Sequence, residues 1–409
     1  MGMPFRYNYR NLFRRKLRTA LTVLGIALVI FIAVIMLAYS RGLLYSLRNN
    51  GDPENILVLP RQASDRVDSS MKKGEFEILG TMMADRIAYF PPTGEEGDAT
   101  RRVDEPGPVD LIAPFVLHTA LITIEGVEGG RYGERKLGLI MGVDPERVCY
   151  LNSRFKLLRG RMFTGEDERV ALVGTLAYAR LGVQPEDLQV GKVIEFNEMS
   201  WTIVGMFDAS GTAAEGEIWV PVEELMAVLG RPDYSYAVIK AENMAALDEM
   251  LQEINRSDQV VLRAESEVEY YSGHAELFQT FAVVAGVMAL IITLGGVLVG
   301  MNTMYTAVAG RVREIGMLQV LGFSKSSIVV SFVLESMLIA LMGGIIGCGL
   351  GQLVNGIPMK VTMGVFLFRV DALVLGLALG LALAIGLVGA LIPAVQAVRL
   401  RMVDAMRYM

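Results

Sequence analysis

Cysteine and histidine are almost missing, with two of each in 409 residues. Cys149 falls in a polar stretch and Cys348 in an apolar run, which excludes a disulfide framework. His118 and His274 are isolated, and no group of side chains has the spacing of a metal site. Charge is scarce as well, at 20% of residues against about a quarter in an ordinary soluble domain. No G-x-x-x-x-G-K-S/T phosphate loop occurs: Gly191-Lys192 is followed by Val193 and lacks the upstream glycine. Nor does a Ser-His-Asp or paired-carboxylate arrangement stand out. The chain is therefore read as a non-enzyme that binds no cofactor or metal of its own.

What the sequence has in excess is apolar surface: 53% of residues are hydrophobic and the mean hydropathy is +0.42. A hydrocarbon layer about 30 Å thick needs roughly 20 apolar helical residues. Four windows reach that length, and they predict spans over 19–40, 277–310, 326–353 and 372–398. Three carry no ionisable residue, and the other carries one, Glu335. Strands cannot supply such runs, because lipid tolerates only helices or closed barrels and barrel strands alternate in hydropathy.

Charge is unevenly divided. Residues 41–276 hold 40 acidic and 24 basic side chains, whereas the rest holds 4 acidic and 14 basic. Arg6, Arg10, Arg14, Arg15, Lys16 and Arg18 precede the first span with no acid among them. The positive-inside rule then puts the amino terminus in the cytoplasm, and an even number of spans returns the tail at 399–409 to the same side. Residues 41–276 are expected outside, and their acidity needs no nucleic-acid partner. A cleavable signal peptide competes for the start, but the apolar stretch is long and Leu37 to Arg41 makes a poor cleavage site, so an uncleaved anchor is expected. Residues 1–18 read either as a basic amphipathic helix lying on membrane lipid or as a plain positive flank.

The fold class expected is an α-helical membrane protein with four transmembrane helices and an inserted α+β extracytoplasmic domain, two-lobed, on a helical stalk. Short β-type runs appear at Asn55–Leu59, Ala120–Ile124, Glu217–Val220 and Ala237–Lys240. Lys192–Phe196 and Trp201–Phe207 suggest a hairpin around Asn197–Ser200. Pro221 opens a helix over Val222–Leu229 that Gly230 stops, and Ala245–Ile254 is a second helix. Pro91–Asp110 has no apolar period and reads as a long loop. Helical patterns at Arg41–Leu47 and Glu265–Ala275 run into the spans and would form the stalk. An outer loop, 354–371, joins the last two spans. Gly343, Gly347 and Gly351 repeat every four residues, as do Gly376 and Gly380, which predicts close helix packing. Glu335 lies two to three turns inside the span, where it can reach headgroups or pair with Lys325 or Arg311. A proton relay is the less favoured role, as no second membrane acid or histidine accompanies it.

Between the second and third spans, 311–325 forms an elbow. Val308, Val312, Ile315, Leu318 and Leu321 recur at helical spacing as one apolar stripe. Gly322 is placed to end the helix in a left-handed turn, and Ser324 or Ser326 to cap the next one. Such a helix can lie on headgroups or seat in a partner's groove, and periodicity does not choose between them.

The string Arg313 to Ile328, REIGMLQVLGFSKSSI, resembles the signature of the MacB/FtsX-like permeases of ABC transporters, with Phe323 where that family usually has Ala. Arg10–Leu28, Pro393–Tyr408, Arg159–Gly174 and Val190–Phe207 are similar to other segments of the family, in the family's order. The resemblance covers nearly all of the chain except roughly 60–110. It implies a dimer, homo- or heteromeric, in the bacterial inner membrane, bound to two copies of a cytoplasmic ABC ATPase that carry the ATP and Mg. A periplasmic adaptor is a further partner of this type. The elbow would be the coupling helix, with Arg311, Arg313, Glu314, Ile315, Gly316, Leu318, Leu321 and Gly322 as coupling positions. ATP-driven motion would pass to the outer domain, by mechanotransmission, for export or extrusion. The alternatives are Lol-like lipoprotein release, FtsX-like control of a cell-wall hydrolase, and a membrane sensor without an ATPase.

Overall fold

The computed structural model describes residues 16–90, 109–125, 135–361 and 364–399. Among them are four helices long and apolar enough to cross a membrane, with spans at Thr19–Ser46, Thr280–Ala309, Lys325–Gln352 and Ala372–Arg399. The expected windows coincide with these, because uninterrupted apolar runs of that length have no other stable solution in lipid. The helix of the first span, Lys16–Asn49, and that of the second, Glu267–Ala309, run on without a break past the apolar windows. The expected helix over 1–18 and the tail beyond Arg399 lie outside the described residues, apart from Lys16 to Arg18.

Contacts divide the chain into two compact units: the span helices with their short links, and 44–278 together with 358–366. In the helical unit Ile26, Ile30, Val34, Ala340, Val374, Ala378, Ala382 and Ile385 form a core. The glycine rows behave differently from one another. A methyl group placed on Gly347 would lie 2.6 Å from the Ala27 carbonyl oxygen, and one on Gly351 would lie 2.4 Å from Val34 Cγ1. Gly343 likewise faces Ile26, so the first row lets the first and third spans touch backbone to backbone, as expected. Gly376 and Gly380 have no heavy atom within 4 Å of that position, so the second row does not mediate packing within the described chain. Arg41 and Asp371 pair at 3.0 Å, and Asn355 Oδ1 accepts the Val370 N–H at 2.9 Å, which fixes the link before the last span.

The second unit is a mixed α+β domain. Its strands are β1 (Asn55–Pro60), β2 (Tyr89–Phe90), β3 (Val109–Asp110), β4 (Ile112–Ile124), β5 (Lys136–Val143) and β6 (Lys156–Gly160). They continue as β7 (Val170–Gly174), β8 (Val193–Phe196), β9 (Met199–Asp208), β10 (Ile218–Pro221), β11 (Tyr236–Lys240) and β12 (Leu262–Ser266). Ten of them make one sheet in the order β12-β1-β11-β4-β5-β10-β7-β9-β6, with β8 beside β4 and β9. The two lobes read from sequence are joined by β4: its first residues pair with β11, the next with β5 and the last with β8. One continuous core follows, with Trp201, Phe163, Phe196 and Phe207 among its largest buried side chains.

Local chemistry explains the elements. Asn197 and Glu198 both take positive φ, 50° and 62°, so the β8–β9 hairpin closes in two residues rather than four. Met199 and Ser200 already pair with Phe196 and Glu195. Val222–Leu229 ends at Gly230, and Met244–Arg256 starts where the Asn243 side chain accepts the Ala246 N–H. A helix at Lys73–Met83 falls within 60–110, where no element before Pro91 is read from the sequence. The link at 354–371 contains two short paired strands, Pro358–Val361 and Gly364–Leu367, and its residues 358–366 belong to the domain unit. Val365 is buried there near Gly216. His118 lies half-buried on β4, where burial lowers its pKa.

Candidate functional site

The elbow is a nine-residue helix, Val312–Val320. Its end has a physical cause. Gly322 sits at φ 86°, its N–H donates to the Gln319 carbonyl at 3.1 Å, and the Phe323 N–H donates to the Leu318 carbonyl at 3.1 Å. This left-handed turn satisfies carbonyls that a helix end leaves open. The Ser324 hydroxyl then accepts the Ser327 N–H at 3.2 Å and caps the third-span helix. Both expectations for this turn, the glycine and the serine, hold.

The helix has two apolar sides, and they do different things. Ile315 is 3% exposed and packs with Val308, Met304, Ile328, Phe332, Ala394 and Val398 in one cluster. Leu318 and Phe323 pack against that cluster from its edge. The stripe predicted as a partner's seat is therefore mostly turned into the chain's own bundle. The opposite row is Arg313, Met317, Val320 and Leu321, with the last three 53%, 70% and 74% exposed. Of the stripe, only Leu321 belongs to this row. Met317 and Val320 lie outside the stripe read from sequence, although they share its i, i+4, i+7 spacing with Arg313, because the wider apolar stripe outranks them. Glu314 and Gly316 are half-buried between the two sides, and Gly322 is exposed.

Arg311 does not point outward either. Its guanidinium grips Glu335 in a fork, Nη1 to Oε2 at 2.8 Å and Nη2 to Oε1 at 3.1 Å. The two side chains are 13% and 10% exposed. A bidentate pair of this kind satisfies both charges at once, and it explains how an acid is tolerated within an apolar span. Of the partners considered for Glu335, the structure selects Arg311 over Lys325 and the headgroups. The pair also fastens the elbow to the third span, and Gln319 Nε2 reaches the Val398 carbonyl at 3.5 Å. These contacts tie the elbow to the third span and to the last one. Among the described residues no group of His, Cys, Asp and Glu is placed to hold a metal.

Two family models match the chain: the MacB-like periplasmic core domain over residues 19–257 and the FtsX-like permease C-terminal over 286–402. Among curated proteins it is 24% identical to the macrolide export ATP-binding/permease protein MacB of Bdellovibrio bacteriovorus, over 98% of this chain and 61% of that protein. It spans less than two thirds of that relative's length. It is 26% identical to the ABC transporter permease YvrN of Bacillus subtilis, covering 98% of both chains. Among solved structures, the periplasmic region of MacB from Actinobacillus actinomycetemcomitans matches at 10% identity with a TM-score of 0.38, over 57% of this chain and 97% of that one. The two family matches together take in the spans, the inserted domain and the elbow, and the chain belongs to the MacB/FtsX-like family of ABC transporter permeases.

Proposed function

We propose that the chain is the permease subunit of an ATP-driven transporter of the MacB type, working by mechanotransmission for export or extrusion. In this reading both termini and the elbow lie on the cytoplasmic side of the bacterial inner membrane, and the inserted domain lies outside. Two permease copies hold two copies of a separate ABC ATPase, which carries the ATP and Mg; a periplasmic adaptor completes the path outward. The reading is supported by the charge asymmetry along the sequence and by relatives named as ABC permeases.

The observation that carries it is the row Met317, Val320 and Leu321 with Arg313 at its head, apolar but for the arginine and left uncovered by the described residues, on a helix in contact with two spans. A partner seated on this row delivers its motion to the spans through the buried Ile315 side and the Arg311–Glu335 fork. The coupling positions proposed are thus Arg313, Met317, Val320, Leu321 and Gly322 at the surface, with Arg311, Ile315 and Leu318 transmitting from behind.

The test is co-purification with the ABC ATPase of the same host. Burying a leucine or methionine side chain is worth about 1.5–3 kcal/mol. Met317→Asp with Leu321→Asp should therefore weaken ATPase binding by about a hundredfold or more, while the permease still inserts. An ATPase that stays bound with unchanged stimulated turnover contradicts the assignment.

A further inference from the structure

The chain comes into the inserted domain and leaves it at adjacent points. β1 and β12 are hydrogen-bonded neighbours, with Ile56 opposite Ser266. Just beyond that ladder lie the end of one long helix at Asn49 and the start of the other at Glu267. The Glu267 carboxylate ties the start of the second helix to the segment that follows the first. Its Oε2 accepts the Asp52 backbone N–H at 2.9 Å and Asn55 Nδ2 at 2.8 Å. Asn55, 1% exposed, also donates to the Leu151 carbonyl at 2.7 Å, so its amide is held from two sides. Arg154 Nη1 donates to the Asn49 carbonyl at 2.6 Å and the Gly51 carbonyl at 3.1 Å, filling acceptors that a helix C-terminus leaves open. Gly51, at φ 86°, lets the chain pass so close that an added Cβ would stand 3.0 Å from the Glu267 backbone.

This is an unusual place for a carboxylate. Burial pushes the Glu267 carboxyl up from its ordinary pKa, while the Asp52 and Asn55 donors pull it down. Without a structural use, an apolar residue would fill the space at lower cost. The neighbouring β1–β12 ladder fixes the strands, but it ends at Ile56 and does not reach Asp52. Glu267 extends the tie by four residues, to where the inbound segment turns.

We propose that Glu267 is a positioning residue that clasps the inbound segment of the domain to the outbound one, so that the adjoining ends of the two long helices move as a pair. The use of that motion rests on the coupling reading above; the clasp does not, and it is tested on the permease alone.

The full-length chain is placed in nanodiscs with Cys149 and Cys348 replaced by serine, and spin labels are attached through Tyr45→Cys and Ser272→Cys. The parent should give one narrow distance distribution. Glu267→Ala should at least double its width and speed hydrogen exchange at the Asp52 amide by tenfold or more. Glu267→Gln, which keeps an oxygen for both donors, should return the parent width. Should Glu267→Ala fail to fold, Asn55→Ala removes one donor, leaves the carboxylate, and should broaden the distribution in the same way. An alanine variant with the parent width and exchange overturns the proposal, as does a glutamine variant as broad as alanine. If Met317→Asp with Leu321→Asp leaves the ATPase bound while Glu267→Ala still broadens the distances, the coupling reading fails and the clasp stands.

Discussion

Removing one member of the Arg311–Glu335 pair should strand the other inside the helical bundle. Both side chains are about nine-tenths covered, and two hydrogen bonds of 2.8 and 3.1 Å join them. An exposed pair would contribute only about 0–1 kcal/mol. Breaking a buried one costs about 3–5 kcal/mol, because the remaining charge has no water and no partner. Glu335→Ala and Arg311→Ala should each lower stability by about that much. Arg311→Met combined with Glu335→Leu removes both charges and should come within about 1–2 kcal/mol of the parent, since apolar replacements of a whole pair are often neutral. The coupling energy of the cycle should then exceed about 2 kcal/mol, well above the few tenths expected of independent sites. Equilibrium unfolding in mixed micelles, followed by helical circular dichroism, measures all of these. A Glu335→Ala variant within about 1 kcal/mol of the parent, or an additive cycle, would refute the reasoning and return Glu335 to the headgroups.

Two further outcomes follow from particular contacts. Gly347→Ala must push the first and third spans apart, since the new methyl meets the Ala27 carbonyl at 2.6 Å, and should cost about 1–3 kcal/mol. Gly376→Ala meets nothing within 4 Å and should be neutral or slightly stabilising, so equal costs at the two sites would contradict the packing described. In the inserted domain, Arg161 holds the Asp167 carboxyl well below the usual carboxylate range by direct hydrogen bonds, aided by the Thr164 N–H and hydroxyl. A depressed carboxyl contributes stability that is present above its unfolded value of 3.8 and is lost as pH falls through the folded value. Arg161→Gln should therefore destabilise the domain at neutral pH and flatten its acid unfolding below pH 4, as read by tryptophan fluorescence against pH. Identical acid profiles for parent and variant would remove Asp167 from the account.

The membrane helices were legible because their signal is composition: runs without ionisable residues permit one structure in lipid. Gly230, Gly322 and Ser324 were legible because each turn needs a particular backbone or side-chain group. The register of β4 was not. Only Ala120–Ile124 alternates clearly, whereas the strand begins at Ile112, in a stretch buried on both faces that gives no period of two. The elbow shows the same limit at the candidate site. Two apolar rows share one short helix, and the sequence cannot say which one the bundle covers. That depends on Ile328, Phe332 and Ala394, brought to Ile315 from other helices. The Arg311–Glu335 fork spans 24 residues, and Lys325 was an equal candidate until the third-span helix was in place. The Glu267 clasp joins residues more than 200 positions apart, beyond any local pattern.

Side-specific cysteine labelling tests most directly whether the elbow can serve a cytoplasmic ATPase. With Cys149 and Cys348 replaced, Leu321→Cys on the elbow and Leu158→Cys on the domain offer thiols at positions 74% and 50% exposed. In intact spheroplasts a membrane-impermeant maleimide should label position 158 and leave 321 untouched until the membrane is opened. Labelling of 321 from outside would put the elbow on the wrong side of the membrane for an ATPase and contradict the coupling account.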